Sequence, residues 1–272
     1  MRIATWNVNS INARLETVLG WFEEAAPDVA CLQEIKCVDE KFPTEAFERL
    51  GYNVAVHGQK TYNGVALLSK TPLEDVTKGL GGDETDDHAR YIEAVVSGPQ
   101  PVRVASIYLP NGNPVAPDNP ADQFPAGQFN EKFTYKLAWM ERLIFHVEGL
   151  LRREIPFVLA GDYNVCPADE DVYDPLAWRD DALCRIETRS RFRSLINLGL
   201  TDAYRAFHPE PHRYTFWDYQ AGRWNRDEGL RIDHLLLSPH AADRVAACEI
   251  DKGPRGKGRA SDHTPIWCEV AV

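Results

Sequence analysis

The sequence predicts an α/β fold of two β-sheets packed face to face with helices outside. Three observations carry that expectation. Short apolar strands alternate with helical segments along the chain, the segments fall into two roughly similar halves, and no linker rich in Pro, Gly and Ser divides them. Residues 1–272 are therefore expected to form one domain.

The elements follow in order. "RIATWNV" (2–8) reads as a strand, and Ile11, Leu15, Val18, Leu19 and Phe22 keep the spacing of an amphipathic helix. "PDVACLQ" is a strand, and "GYNVAVHG" with "NGVALLSK" reads as a hairpin. "RYIEAVV" and "VRVASIYL" pair across the turn "SGPQP". The Pro-rich stretch 110–125 is long for a loop in a compact domain, and such loops are often functional. Leu137, Met140, Ile144, Val147 and Leu151 mark a second helix that feeds the strand "IPFVLAGD". A short helix around "FRSLINLG", the strand "LRIDHLLLS" and a last strand in "TPIWCEVAV" complete the chain.

Composition excludes several classes. Hydrophobic content of 44% and charged content of 26% are those of a globular chain, so intrinsic disorder is not expected. No apolar run reaches the ~18 residues of a membrane span, and the start "MRIATWNVN" lacks the apolar core of a secretory signal, so a cytoplasmic protein is expected. The six cysteines show no C-x-x-C spacing, and several lie in apolar runs, which points to reduced buried thiols. A net charge of −11 argues on its face against nucleic acid as a partner. The charge is uneven, however. "GGDETDD" and "PADEDVYD" are acidic, while 185–193 and 252–259 are basic, and the second basic run leads into "SDH".

Polar residues recur where strands end. Asn7 closes the first strand, Glu34 follows "CLQ", Tyr108 ends "ASIY", Asp162 and Asn164 end "VLAGDYN", Asp233 lies in "LRIDHLLL", and Asp262 with His263 opens the last strand. Any one of them is ordinary turn chemistry. Together they can converge on one rim of the sheets. Glu34, Asp262 and the amide oxygen of Asn7 are hard ligands suited to Mg²⁺ or Mn²⁺ rather than zinc. His263 is a candidate general base if Asp233 orients it, Tyr108 or Asp162 a proton source for a departing alkoxide, and Asn164 a hydrogen-bond donor to phosphate. The reaction class is metal-assisted hydrolysis of a phosphodiester.

"TWNVNS", "CLQEIK", "NGVALLSK", "GDYNV", "RIDHLLLS" and "SDHTPIW" stand in the order and spacing of the endonuclease/exonuclease/phosphatase superfamily. With "LGYNVAVHGQK", "YLPNG" and "YTFWDY", the chain resembles the exonuclease III type of abasic-site endonuclease over its whole length. That resemblance implies a four-layered α/β sandwich with a Mg²⁺-dependent site at one rim. It makes Glu34 the principal metal carboxylate, with Asn7 and Asp262 near the ion, and allows a second metal near Asp162, Asn164 and His263. It implies a His263–Asp233 pair facing the scissile phosphate, Asp162 beside the attacking water, Asn164 on the phosphate and Tyr108 as the active-site tyrosine. Either His263 or Asp162 then serves as base.

The resemblance further implies double-stranded DNA as partner, abasic or damaged at its 3′ end, and a monomeric enzyme. Arg90 and Asn111 match positions that contact the DNA backbone. Phe216, Leu230 and Ile232 match the walls of a pocket for a flipped-out sugar without its base, and Trp217 and Tyr219 are candidates to wedge into or stack on the duplex. The acidic loop after Asp162 and the Gly/Arg-rich tail depart from the pattern, leaving open the balance between abasic-site incision and 3′-end trimming. Other phosphodiesterases and phosphatases of the superfamily, and a DNA-binding protein with a silenced site, are the alternatives. Against silencing, every residue that the chemistry calls for is present.

Overall fold

A computed structural model describes residues 1–116 and 129–271. Two six-stranded mixed sheets stack face to face, as the sequence predicts. The first has strand order β11-β12-β1-β2-β4-β3 and the second β5-β6-β7-β8-β10-β9. The strands are β1 (Arg2–Asn7), β2 (Val29–Gln33), β3 (Asn53–His57), β4 (Val65–Ser69), β5 (Leu73–Lys78), β6 (Tyr91–Val96), β7 (Val102–Tyr108), β8 (Phe157–Asp162), β9 (Thr201–Asp202), β10 (Asp233–Leu237), β11 (Val245–Ile250) and β12 (Ile266–Val270). The helices are α1 (Leu15–Ala25), α2 (Thr44–Glu48), α3 (Glu131–Leu151), α4 (Pro175–Trp178), α5 (Ile186–Asn197), α6 (Ala203–Phe207) and α7 (Pro239–Ala242).

Period-two alternation explains the layering. In β1 and β2, Ile3, Val29 and Cys31 enter the core between the sheets, while Ala4, Trp6, Ala30 and Leu32 face the layer that holds α1. Both faces of these strands are buried, so they read as near-continuous apolar runs. On the second sheet, Ala105, Ile107 and Leu159 point outward against Leu143 and Val147 of α3 and Leu195 of α5. The result is four layers, helix–sheet–sheet–helix.

Each sheet contains one parallel pair, β1 with β2 and β7 with β8, and register places their polar ends side by side. Asn7 pairs with Gln33, so Glu34 emerges next to it. Tyr108 pairs with Asp162, and Asp162 with Asp233 across the antiparallel β8–β10 contact. Below this rim buried polar contacts join the sheets through Gln33: Thr5 Oγ1 donates to its Oε1 within the first sheet (3.1 Å), and its Nε2 donates across to Ser106 Oγ of the second (3.0 Å). A buried hydrogen bond fixes relative position in a way apolar packing alone does not.

Several elements differ from expectation. β5, β9 and β11 are absent from the sequence reading. All three are edge strands: β9 is only two residues long, and exposed positions break the apolar pattern of β5 and β11, the charges of β5 suiting an unpaired edge. α5 begins six residues before the apolar stretch at Phe192, because charged residues interrupt the apolar pattern in its first turns. α2, α4, α6 and α7 are too short to show a helical period. Asp262 and His263 lie in the turn before β12 rather than in that strand. All six cysteines are buried and free. No described helix is long and apolar enough to cross a membrane. Residues 117–128, which include 117–125 of the Pro-rich stretch, lie outside the described residues.

Candidate active site

The rim assembles from both sheets. Asn7 Nδ2 donates to Glu34 Oε1 (2.9 Å) on its own sheet and to Asp162 Oδ2 (2.9 Å) on the other. One amide therefore ties together two carboxylates that would otherwise repel. Its oxygen accepts the Asn9 backbone N–H (3.0 Å). Its oxygen thus serves the turn and its nitrogen the carboxylates, while the second lone pair of that oxygen stays available to a ligand.

His263 lies between two acids. Its Nδ1 bonds Asp233 Oδ2 at 2.9 Å, and its Nε2 is 3.8 Å from Asp162 Oδ2. The imidazole is fixed from behind as well. Trp6 Nε1 donates to the His263 carbonyl, the His263 N–H reaches Ser261 Oγ, and Ser261 Oγ donates to the Asn7 carbonyl. Asp233 is held by its own backbone N–H, which donates to Thr215 Oγ1.

Burial disfavours a charged imidazole, but Asp233 and Asp162 more than offset it and hold His263 well above the usual histidine range. Burial, together with the neighbouring Asp233 and Glu34 carboxylates, raises Asp162 against the opposing pull of His263 and Asn7. Glu34 moves the other way. Burial would raise it, yet Lys36, Asn7 and His263 leave it below the usual carboxylate range. Burial beside Glu34 and Asp162 pushes the Tyr108 phenol well above its ordinary value, so it stays protonated as a donor.

The remaining predicted residues fall around this centre. Asn164 adopts a positive φ of 48°, its N–H donates to Asp162 Oδ1 (2.9 Å), and its Nδ2 donates to the Leu109 carbonyl. Asn111 Nδ2 reaches Asn164 Oδ1 at 3.1 Å. Arg90 places its guanidinium 4.9 Å from the Tyr108 ring centroid, in a cleft of about 470 Å³ shared with His88, Asn111, Lys132 and Tyr135. Asp262 joins through a chain the sequence reading missed. Lys36 Nζ contacts Glu34 Oε2 (2.7 Å) and Asn9 Oδ1 (2.6 Å), and Asn9 Nδ2 donates to Asp262 Oδ1 (3.0 Å). The signal for Lys36 was its place two residues after Glu34 in "CLQEIK".

Phe216 leans on the His263 ring with centroids 4.9 Å apart, and Leu230 and Ile232 lie buried in the apolar cluster against which it packs. Tyr173 and Trp178 pack on the same cluster, adding two aromatic residues that sequence reasoning did not single out. Trp217 is a correction. Its side chain is fully buried, its Nε1 donates to Asp227 Oδ1 (2.9 Å), and it meets Trp224 edge-on, so it has no surface with which to enter a duplex. Tyr219 is half exposed, and its hydroxyl donates to the Ala260 carbonyl. The basic runs are largely engaged: Arg185 with Glu187, Arg189 with Asp169, Arg191 with Glu141, Lys252 with Asp227 and Lys257 with Glu24.

The donor set suits a hard cation. Asp162, Asp233 and His263 bring one potential ligand atom each to within 4.8 Å of one another, and Glu34 faces Asp162 across the Asn7 amide. Among the described residues, Asp233 Oδ1 is buried without a hydrogen-bond partner. Unpaired buried carboxylate oxygen is costly, and a cation or a water relieves it.

Comparison with known proteins agrees with this geometry. The family model described as the endonuclease/exonuclease/phosphatase family matches residues 4–263. The chain is 33% identical to exodeoxyribonuclease III of Haemophilus influenzae, over 99% of each chain. Among solved structures, the 3′ phosphatase NExo from Neisseria bound to a product DNA hairpin is 40% identical, with a TM-score of 0.91 and complete coverage of both chains. An AP endonuclease from Archaeoglobus fulgidus is 36% identical, with a TM-score of 0.89 and the same coverage.

Proposed function

Because the chain belongs to the endonuclease/exonuclease/phosphatase family, we propose that it is a metal-dependent nuclease of DNA repair, acting as a single-domain monomer on double-stranded DNA. It hydrolyses the phosphodiester on the 5′ side of abasic sites and removes nucleotides or blocking groups from 3′ ends. Carrying this reading is the row Tyr108–Asp162–Asp233 at one sheet end, with His263 bonded to Asp233 and facing Asp162.

Glu34 and Asp162 are the carboxylates that would hold Mg²⁺ or Mn²⁺, with Asp262 as a further carboxylate near them and Asn7 setting their spacing. Asn164 and His263 border a second position. When bound, the ion offsets negative charge that develops on the phosphoryl oxygens. The chain's own groups do the rest. The His263 imidazolium, kept charged by Asp233, donates toward a phosphate oxygen. The Asp162 carboxylate, whose proton affinity burial raises, accepts a proton from water. The Tyr108 phenol donates to the departing oxygen, and the Asn164 and Asn111 amides orient the phosphate. Phe216, backed by Leu230 and Ile232, presents an apolar wall to a sugar with no base, and Arg90 contacts the DNA backbone.

The test is a labelled duplex with one abasic analogue, run beside an undamaged duplex and one ending in a 3′ phosphate, with Mg²⁺ or EDTA. Metal-dependent cutting 5′ to the lesion supports incision. Removal from 3′ ends alone removes incision from the reading, and no cleavage of any duplex removes the nuclease itself.

A further inference from the structure

Lys136 lies on α3, the helix that covers the second sheet, and its side chain is completely buried. A buried ammonium is expensive unless it is well bonded. Here Nζ donates to the carbonyl of Asn111 (3.0 Å) and to that of Asn164 (2.6 Å), main-chain atoms of two different rim loops. The loop after β7 is moulded around the lysine stem. Gly112 has φ +90°, and a methyl group there would lie 2.6 Å from Lys136 Cδ. Above the ammonium, the two asparagines are joined again by Asn111 Nδ2 to Asn164 Oδ1 (3.1 Å), and Asn164 Nδ2 returns to the Leu109 carbonyl (2.9 Å).

We propose that Lys136 is a positioning residue for the reaction: its Nζ gathers the Asn111 and Asn164 carbonyls from below and thereby sets where both side-chain amides stand relative to the scissile phosphate. Lys136 touches neither phosphate nor ion. It acts through the loops that follow β7 and β8, and it spares the first sheet, where Glu34 stands. The role rests on the nuclease reading above. A hydrocarbon of similar length would fill the same space yet leave both carbonyls without their shared donor. Small displacements of orienting groups are costly, about a hundredfold for ~1 Å.

The experiment compares Lys136→Met with Leu143→Ala, a substitution in the same helix that faces the apolar core away from the rim. Steady-state cleavage of the abasic duplex is measured well below both melting temperatures, with hydrogen exchange of the backbone followed in parallel. Lys136→Met is expected to lose at least tenfold in kcat, with the Mg²⁺ midpoint shifted less than threefold. Exchange in 109–113 and 163–166 should accelerate at least tenfold relative to Leu143→Ala. Combining Lys136→Met with Asn164→Ala should cost little beyond the larger single loss. A kcat within threefold of wild type, losses that match those of Leu143→Ala, or additive losses with Asn164→Ala would each overturn the role. If Lys136→Met does not fold, Lys136→Gln, which keeps a donor at shorter reach, carries the same comparison. An inactive wild type would defeat the nuclease reading instead, and the exchange comparison would still decide whether Lys136 orders the two loops.

Discussion

Replacing Asp233 by Asn keeps the shape of the side chain and removes the charge behind His263. The two groups are buried, and Nδ1 lies 2.9 Å from Oδ2. Hydrogen bonds to charged groups contribute about 1.5–3 kcal/mol. If that contribution is realised as the imidazolium meets the phosphate, its loss lowers kcat roughly ten- to a hundredfold. The pH dependence has a definite sign. Against the opposing effect of burial, Asp233 is the foremost group raising His263. A histidine whose folded value is raised contributes stability in full below its unfolded value, and that contribution is lost as pH rises through the folded value. Without the carboxylate the imidazole should discharge at lower pH, so the alkaline decline of kcat should begin earlier in Asp233→Asn. The assays are kcat on the abasic duplex from about pH 6 to about pH 9, and nitrogen NMR of the His263 ring in metal-free protein. Equal titration of His263 in both proteins, or kcat within threefold across that range, would refute the reasoning.

Other expectations follow from the same contacts. Glu34→Ala should raise the Mg²⁺ concentration for half-maximal activity by about tenfold or more, as expected for loss of a direct carboxylate ligand; an unchanged titration would remove Glu34 from the metal set. Trp217→Ala should cost about 3–5 kcal/mol of stability as a core truncation, read by urea melts, while DNA affinity of the folded protein stays within about twofold; selective loss of affinity would restore Trp217 to the DNA surface. His234, fully buried beside Arg231 and bonded to the Val165 carbonyl, is pushed down to about 4, first by burial and then by Arg231. A depressed folded value means that stability is present above the unfolded value near 6.5 and is lost as pH falls toward 4. That loss approaches about 3 kcal/mol, so His234→Gln should flatten urea-melt stability between those limits.

The strands of the two sheet centres were legible because both of their faces are buried, and so were the residues at their polar ends. The convergence of Tyr108, Asp162 and Asp233 follows from the register of β7, β8 and β10, which near-continuous apolar runs do not reveal. What local patterns could not supply was the second half of each long-range contact. Asn7 appears as one more strand-end amide until the opposite sheet brings Asp162 to it, and a surface reading of Trp217 fails once Asp227 and Trp224 close over it. Lys136 gave no signal, since a lysine within a helical period looks like part of a solvated face. The basic run 185–193 looked like a binding strip, yet the helix turns most of its arginines onto nearby acids.

Gly161 shows how little slack the rim has. It precedes Asp162 in β8 and pairs with Ile107 in the parallel neighbour. A methyl group there would overlap the Ile107 carbonyl oxygen and lie 2.8 Å from the Ile107 nitrogen, and both are main-chain atoms that no rotamer change can move. Gly161→Ala must therefore shift β8 against β7, carrying Asp162 away from Asn7 and His263 on the far side of the packed sheets. Overpacking of this kind typically costs about 1–3 kcal/mol of stability. A displacement of ~1 Å at Asp162 can cost roughly a hundredfold in rate. The two effects separate experimentally. If activity measured well below the melting temperature falls only as far as the folded fraction does, the rim tolerates the shift and its close tolerance is refuted. If kcat falls far beyond that fraction, the spacing of Asp162 from the opposite sheet, and not the presence of the carboxylate alone, sets the rate.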